Sequence, residues 1–381
     1  MMRVAHTPAQ RRLRALLVSS GMTEGAAWGA TGTALALDSA ARAALTMQGA
    51  TALEALPSVL LLLSALPLGA LIGAPGADFV SHAFGRRPAF LGCALLVVLG
   101  AGAAAAEVQL LRLVGIGTVG LGLGGYAVVV PKLAHELAEH GHRRLMPRVR
   151  ATAPAGAALA ILAGGLGGLL GAGQGAIAAW MVVVLGAVVS LLLALTLPET
   201  PHWYAAQGRV EAAYVALRRM LGSLEAAVGI DWVMMDTGTL GEQHPIGRGD
   251  LSIARVRRTV IAGLLLELVQ ALPLGLAALC LGPALMTEVA QPSAGGQAAL
   301  PIWLAAVLAL AWAVTALLGA RRRGDHLAYA WILGGTGLAA CGITLLALAD
   351  AVHGAGLIAL LIVVDALAVV GQFVAVVPAC T

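Results

Sequence analysis

Between Arg150 and Glu199 the chain carries no charged side chain at all. A helix needs ~20 predominantly apolar residues to cross the hydrocarbon core of a bilayer, so this one stretch accommodates two spans in succession. Only GAGQG at 171–175 marks a turn between them. The same reading along the sequence gives ten candidate spans, near 15–37, 55–77, 88–106, 112–131, 152–172, 176–197, 259–286, 299–320, 327–349 and 355–378. A chain that is 60% hydrophobic and only 11% charged, with a mean hydropathy of +0.91, has more apolar surface than soluble cores can hide. Lipid must be the solvent for most of it. The expected fold class is all-α: a polytopic membrane bundle of about ten transmembrane helices.

The basic residues fix its orientation. Arg3, Arg11, Arg12 and Arg14 precede the first span, and Arg86 and Arg87 follow the second. Lys132, Arg143, Arg144, Arg148 and Arg150 follow the fourth, Arg209 to Arg258 the sixth, and Arg321 to Arg323 the eighth. Every basic residue except Arg42 and Arg112 therefore falls on one side, which the positive-inside rule makes the inside, together with the N-terminus. The Arg-rich, acid-free residues 1–14 read as an inside anchor in preference to an organellar transit peptide. The use of one Lys against 22 Arg, with abundant Ala and Gly, reads as the codon bias of a GC-rich genome, not as a nucleic-acid surface. The membrane itself is the plasma or inner membrane, or an organelle's inner membrane.

The longest polar segment divides the spans six and four. Residues 1–197 are expected to form an N-terminal six-helix bundle, 198–258 an inside loop with short amphipathic helices, and 259–381 a C-terminal partial bundle of four. Within the loop, 208–221 has helical periodicity, and DTGTLGEQHPIGRGD reads as irregular chain. GRRPAFLG (85–92) and RRRGDHLAYAWILGG (321–335) stand at equivalent places in the two parts, as in transporters built from repeated halves.

These residues carry a resemblance. LPETPHWYAAQGRVEAAYVALRRMLG (197–222) is similar to the PESPRW-like box, GR pair and following helix of the sugar porters of the major facilitator superfamily. Pro198, Glu199, Pro201, Trp203, Gly208, Arg209 and Glu211 fit that pattern. RLVGIGTVG from Arg112, VPKLAHEL (130–137, with Pro131 and Glu136) and GRRP (85–88) fit further family motifs. The resemblance implies two rocking halves whose inside loops pair Arg with Glu at helix ends. The candidates for that network are Arg86, Arg87, Glu136, Arg148, Arg150, Glu199 and Arg209.

The departures concern the substrate site. The family's acid and base after the second helix are replaced by His82 and Ala83, with Asp78 four residues earlier. The fifth helix, ATAPAGAALAILAGG, lacks the family's sugar-binding Gln. The QQxxGxN run of the seventh keeps only Gln270, and its YYxP only Pro283. The GPxPW stretch of the tenth survives only as GQFVA from Gly371. Sugar hydroxyls need matched donors and acceptors in a water-excluded site, which Ala, Leu and Gly cannot supply. Against the family's twelve helices, the ten expected spans leave the eleventh and twelfth without a counterpart, unless the sequence is a fragment.

A few ionisable groups lie within spans, where each costs ~2.5–3.5 kcal/mol on insertion scales: Glu24, Arg112, Glu267 and Asp365. With Gln270 they are the candidate substrate and ion-coupling residues. Glu24 and Arg112 are paired in this reading, although the family's coupling acid aligns with Thr23, one place earlier. No catalytic constellation, Walker sequence or metal-ligand spacing occurs, and Cys93, Cys280, Cys341 and Cys380 stand alone in apolar runs. The sequence thus predicts no enzyme, no cofactor, no metal and no nucleic-acid partner. It predicts lipid contact, and secondary transport of a small solute with altered specificity. The alternative is a non-transporting, transporter-derived accessory subunit that binds other membrane subunits.

Overall fold

A computed structural model describes residues 7–37, 51–137, 152–168, 172–221 and 229–235, with single positions at 149, 170 and 226. Six long helices come first: α1 (Pro8–Leu37), α2 (Thr51–Ala83), α3 (Arg86–Ala104), α4 (Gln109–Leu137), α5 (Ala153–Gly168) and α6 (Ala172–Thr196). Two short ones follow, α7 (Pro201–Ala206) and α8 (Val210–Leu221). Residues 229–235 are also helical. These six long helices coincide with the first six expected spans. α5 ends at Gly168 and α6 begins at Ala172, and Leu170 N–H donates to Gly167 O at 3.0 Å. The four spans expected over 259–378 lie outside the described residues.

Three of the described helices, α3, α4 and α6, are both long and apolar enough to cross a membrane. The outer surface of the bundle agrees: Leu71 (68% exposed), Leu99 (60%) and Leu185 (60%) project from three different helices. Exposure of large aliphatic side chains all round a bundle is what lipid permits and water opposes.

Lipid supplies no hydrophobic force between helices, so close approach must come from small residues. α1 meets α5 along Gly21, Gly25 and Gly29; a Cβ on Gly29 would stand 2.7 Å from Ala157 O. α2 meets α4 in the same manner, with Gly69 and Gly73 against Gly117 and Leu121, and Gly120 and Gly124 against Leu66 and Ala70. α1 packs on α5 and α6 as α4 packs on α2 and α3, and α3 packs on α6, so the six helices form two triplets joined along α3 and α6. Larger side chains fill the rest of the core: Trp180 and Phe90 are fully buried, and Phe90 of α3 stacks on Tyr126 of α4 with centroids 4.7 Å apart. Hydroxyls inside the bundle return their protons to their own helix, as in Thr23 Oγ1 to Ser19 O at 2.7 Å and Thr31 Oγ1 to Ala27 O at 2.8 Å. Ser19 and Ser190 also share a hydrogen bond between α1 and α6 at 2.8 Å.

Candidate functional site

Among the described residues, the inside ends of α2, α3, α4 and α6 meet at one end of the bundle. The turn between α2 and α3 is the hub. Gly85 holds φ at +111°, a region open to glycine and costly for other residues, and so lets α3 begin immediately after α2. Its lack of a side chain leaves room for the carboxyl of Glu199, which arrives from the loop after α6. A Cβ on Gly85 would stand 2.8 Å from Glu199 Cδ.

Glu199 Oε1 accepts from the backbone N–H of Arg86 at 2.9 Å, and Oε2 accepts from that of Arg87 at 3.1 Å. The first N–H groups of a helix lack intrahelical partners and carry its positive dipole end, so a carboxylate here caps α3 from another part of the chain. Glu199 Oε1 also accepts from the N–H of Thr200 at 2.9 Å, which closes the loop onto α7, where Pro201 occupies the first turn. Burial pushes the Glu199 carboxyl above its usual range and nearby Glu136 adds to this, while the N–H groups of Thr200, Arg87 and Arg86 oppose it.

The guanidinium of Arg86 lies across the end of α4. Its Nη2 and Nε both stand 3.0 Å from Glu136 Oε1, and its Nη1 donates to Ser81 O at 2.7 Å. Both side chains are nearly buried, with 11% and 8% exposed. Arg87 turns towards α6, donating from Nε to Ala194 O at 3.1 Å and from Nη2 to Leu195 O at 2.7 Å. It thereby supplies a donor to carbonyls of the last turn of α6, of which that of Ala194 also accepts from Leu197 N–H at 3.3 Å. Glu136 Oε2 is buried without a hydrogen-bond partner among the described residues.

A second cluster lies beside the first. Lys132 on α4 is paired with Asp78 on α2, and its Nζ is 3.2 Å from His82 Nε2. His82 Nε2 is 3.7 Å from Asp78 Oδ1, and the His82 carbonyl accepts from Trp203 Nε1 of α7 at 3.1 Å. His82 lies beyond the apolar run of α2. Burial holds its ring below the usual histidine range, with Lys132 and Arg86 acting in the same direction and Asp78 and Glu136 against it.

Among the predicted network residues, the structure thus brings together Arg86, Arg87, Glu136 and Glu199. Arg209 is placed differently: its guanidinium lies over the Tyr204 ring, 5.3 Å from the centroid. Arg148 and Arg150 fall outside the described residues, as do Glu267, Gln270 and Asp365. Glu24 is exposed on α1, whereas Thr23 is fully buried. Arg112 opens α4 and donates from Nε to Ala106 O at 3.3 Å. Sequence reasoning missed the Lys132–Asp78–His82 cluster and the backbone role of Glu199. A signal for the first was available, since Asp78 and the single Lys close helices that end on the same side.

The family model described as "Sugar (and other) transporter" matches residues 16–379. A High-affinity glucose transporter 1 of Candida albicans is 32% identical over 154 residues, covering 39% of this chain and 28% of that protein. A Galactose-proton symporter of Escherichia coli is 28% identical over 220 residues, covering 54% and 44%. The chain therefore spans less than half the length of the curated relatives it matches. The partially occluded inward open structure of the E. coli xylose transporter XylE has a TM-score of 0.52 at 18% identity, covering 95% of this chain and 92% of that one. A structure of double Trp XylE mutants has a TM-score of 0.56 at 18% identity, covering 94% and 79%. At such identities the structural likeness speaks for the fold alone. Taken with the family match, it places the chain in a family of transporters, not of enzymes: this is an integral membrane protein with the major facilitator fold, and it belongs to the sugar (and other) transporter family.

Proposed function

We propose that the chain moves a small solute by secondary transport, with its described half acting as one rigid body. The observation that carries this reading is the cluster built on Arg86. Through Arg86, Arg87, Glu136 and Glu199 the ends of α2, α3, α4 and α6 are tied at one point. Alternating access by rocking requires each half to move without internal slippage, and a buried charge network at the inside ends supplies that stiffness. Glu136 Oε2 leaves an acceptor for a donor from outside the described residues; Arg148 and Arg150, with Arg143 and Arg144 before them, follow α4 along the sequence.

The solute is read as less hydroxylated than a hexose. From Ala153 to Gly168, α5 contains only Ala, Gly, Leu, Ile and Pro, so no side chain of that helix can hydrogen-bond a sugar. In the same reading Glu24, with Arg112, is the candidate coupling group. Thr23, at the aligned acid position, is occupied by its bond to Ser19 O.

Uptake into proteoliposomes holding the full chain tests this reading. Glucose, galactose and xylose are expected to accumulate poorly, while a less polar solute enters and Arg86→Ala abolishes its entry. The wholly apolar α5 equally suits the second reading, an accessory subunit. Absence of any solute flux, together with stoichiometric co-purification of other membrane subunits in mild detergent, would establish that reading and remove transport.

A further inference from the structure

One hydroxyl joins the start of α1 to the end of α8. Thr7 and Gln10 form a reciprocal capping box: Thr7 Oγ1 accepts from Gln10 N–H at 3.2 Å, and Gln10 Oε1 accepts from Thr7 N–H at 3.3 Å. The same Thr7 hydroxyl donates to Met220 O at 2.7 Å. That carbonyl is one of the last of α8, and helix ends leave such groups unpaired. Two helices widely separated in sequence thus abut at their ends, α1 with its positive dipole end and α8 with its negative one.

The joint is surrounded by arginine. Arg11, Arg12 and Arg14 are exposed on the first turns of α1, and Arg218 and Arg219 are exposed on the last turn of α8. The α8 pair complements its helix dipole, but three cations at the positive end of α1 are mismatched, and the first turn of α1 contains no acid. Among the described residues, the acid of α1 is Glu24, well beyond its first turns, that of α8 is Glu211, at its far end, and the 229–235 stretch carries Asp231. Leu13, Leu16 and Leu17 are buried in the bundle, which fixes the register of α1 and keeps its arginines on the opposite, exposed face. Arg14 immediately precedes the apolar part of α1, which sets the group at headgroup depth.

We propose that this five-arginine joint is a binding surface for anionic phospholipid of the inner leaflet. The phosphate esters of the lipid supply a counter-charge that the described turns of the joint, the first of α1 and the last of α8, do not carry. Acyl chains lie along the exposed apolar surface of the bundle, and the bound headgroup braces α8 against α1. Basic groups at a membrane surface contribute about 1 kcal/mol each toward anionic lipid, roughly fivefold per arginine.

The test is native mass spectrometry of the full chain released from nanodiscs of phosphatidylcholine mixed with phosphatidylglycerol. The wild type is expected to retain phosphatidylglycerol preferentially, and to lose that preference in high salt. Arg218→Gln/Arg219→Gln and Arg11→Gln/Arg12→Gln are each expected to lower it about tenfold or more. Equal retention of the two lipids by the wild type overturns the proposal, even if the variants do not fold. So does full preference in both folded variants. Complete competition by soluble glycerol 1-phosphate also overturns it, by showing a small phosphate-ester site and not a membrane surface.

Discussion

Glu199 Oε1 lies 2.9 Å from the backbone nitrogen of Arg86, 113 residues away in sequence. A carboxylate from the end of the six-helix part therefore caps a helix in its middle, and it can do so because Gly85 has no side chain. Gly85→Ala is expected to destabilise the protein by about 1–3 kcal/mol, combining the positive φ with displacement of the Glu199 carboxyl. Thermal unfolding in detergent checks this, and Gly208→Ala separates the two causes. Gly208 also has positive φ, at 72°, but open space around its Cβ position, so it should lose only the conformational part.

Arg86 and Glu136 form the buried pair of the cluster. Removing one partner of such a pair costs about 3–5 kcal/mol, because the other charge stays buried and uncompensated. Arg86→Ala is therefore expected to lower the unfolding temperature sharply, and Arg86→Met combined with Glu136→Leu to recover most of the loss. If the pair stiffens a moving half, uptake should remain impaired in the recovered double variant. Normal uptake there would reduce the pair to a purely structural contact.

The α1–α5 contact makes a separate prediction. The position of a Cβ on Gly25 is already filled by the backbone of Ala153, so Gly25→Val must push the helices apart. The expected cost is about 1–3 kcal/mol or more, as for other overpacked interiors. Gly92 faces open space, and Gly92→Ala should leave the unfolding temperature unchanged or slightly raised. Equal effects at the two positions would contradict the packing described here.

His82 predicts a pH dependence. Its folded-state pKa lies below the ordinary value of 6.5, so the unfolded chain binds the proton more readily. The associated stability is complete above about pH 6.5 and is lost as pH falls through the lower, folded value. The ring is largely exposed, so solvent screening keeps the effect small. Unfolding temperatures measured from pH 7.5 to 5 should fall less in His82→Gln than in the wild type. Glu199 acts in the opposite sense, since its carboxyl is shifted upward and favours the folded state on acidification. The His82→Gln comparison isolates the histidine from it.

Much of the arrangement was legible in the sequence, for reasons that can be named. The uncharged run from 151 to 198 had to be membrane helices, and α5 and α6 fill it. The one-sided distribution of basic residues placed Arg86, Glu136 and Glu199 at a common end, where the structure joins them. What the sequence could not express was the partner of each group. Glu199 binds backbone N–H groups, which have no residue signature, and Arg209 turns to the ring of Tyr204 because that ring lies on the adjacent short helix. The approach of α1 to α5 was hidden for another reason: Gly and Ala are so frequent in this chain that the few positions where a Cβ would collide look like all the others.

The Lys132–Asp78–His82 cluster has a practical consequence. Lys132 carries the only primary amine among the side chains of the whole chain, and that amine is held by a carboxylate and an imidazole at the inside end of two helices. A reagent that acylates amines therefore meets one side-chain target, and it reaches that nitrogen in competition with Asp78 and His82. With one side-chain amine in the protein, the labelling rate at Lys132 reports how tightly the ends of α2 and α4 are held together.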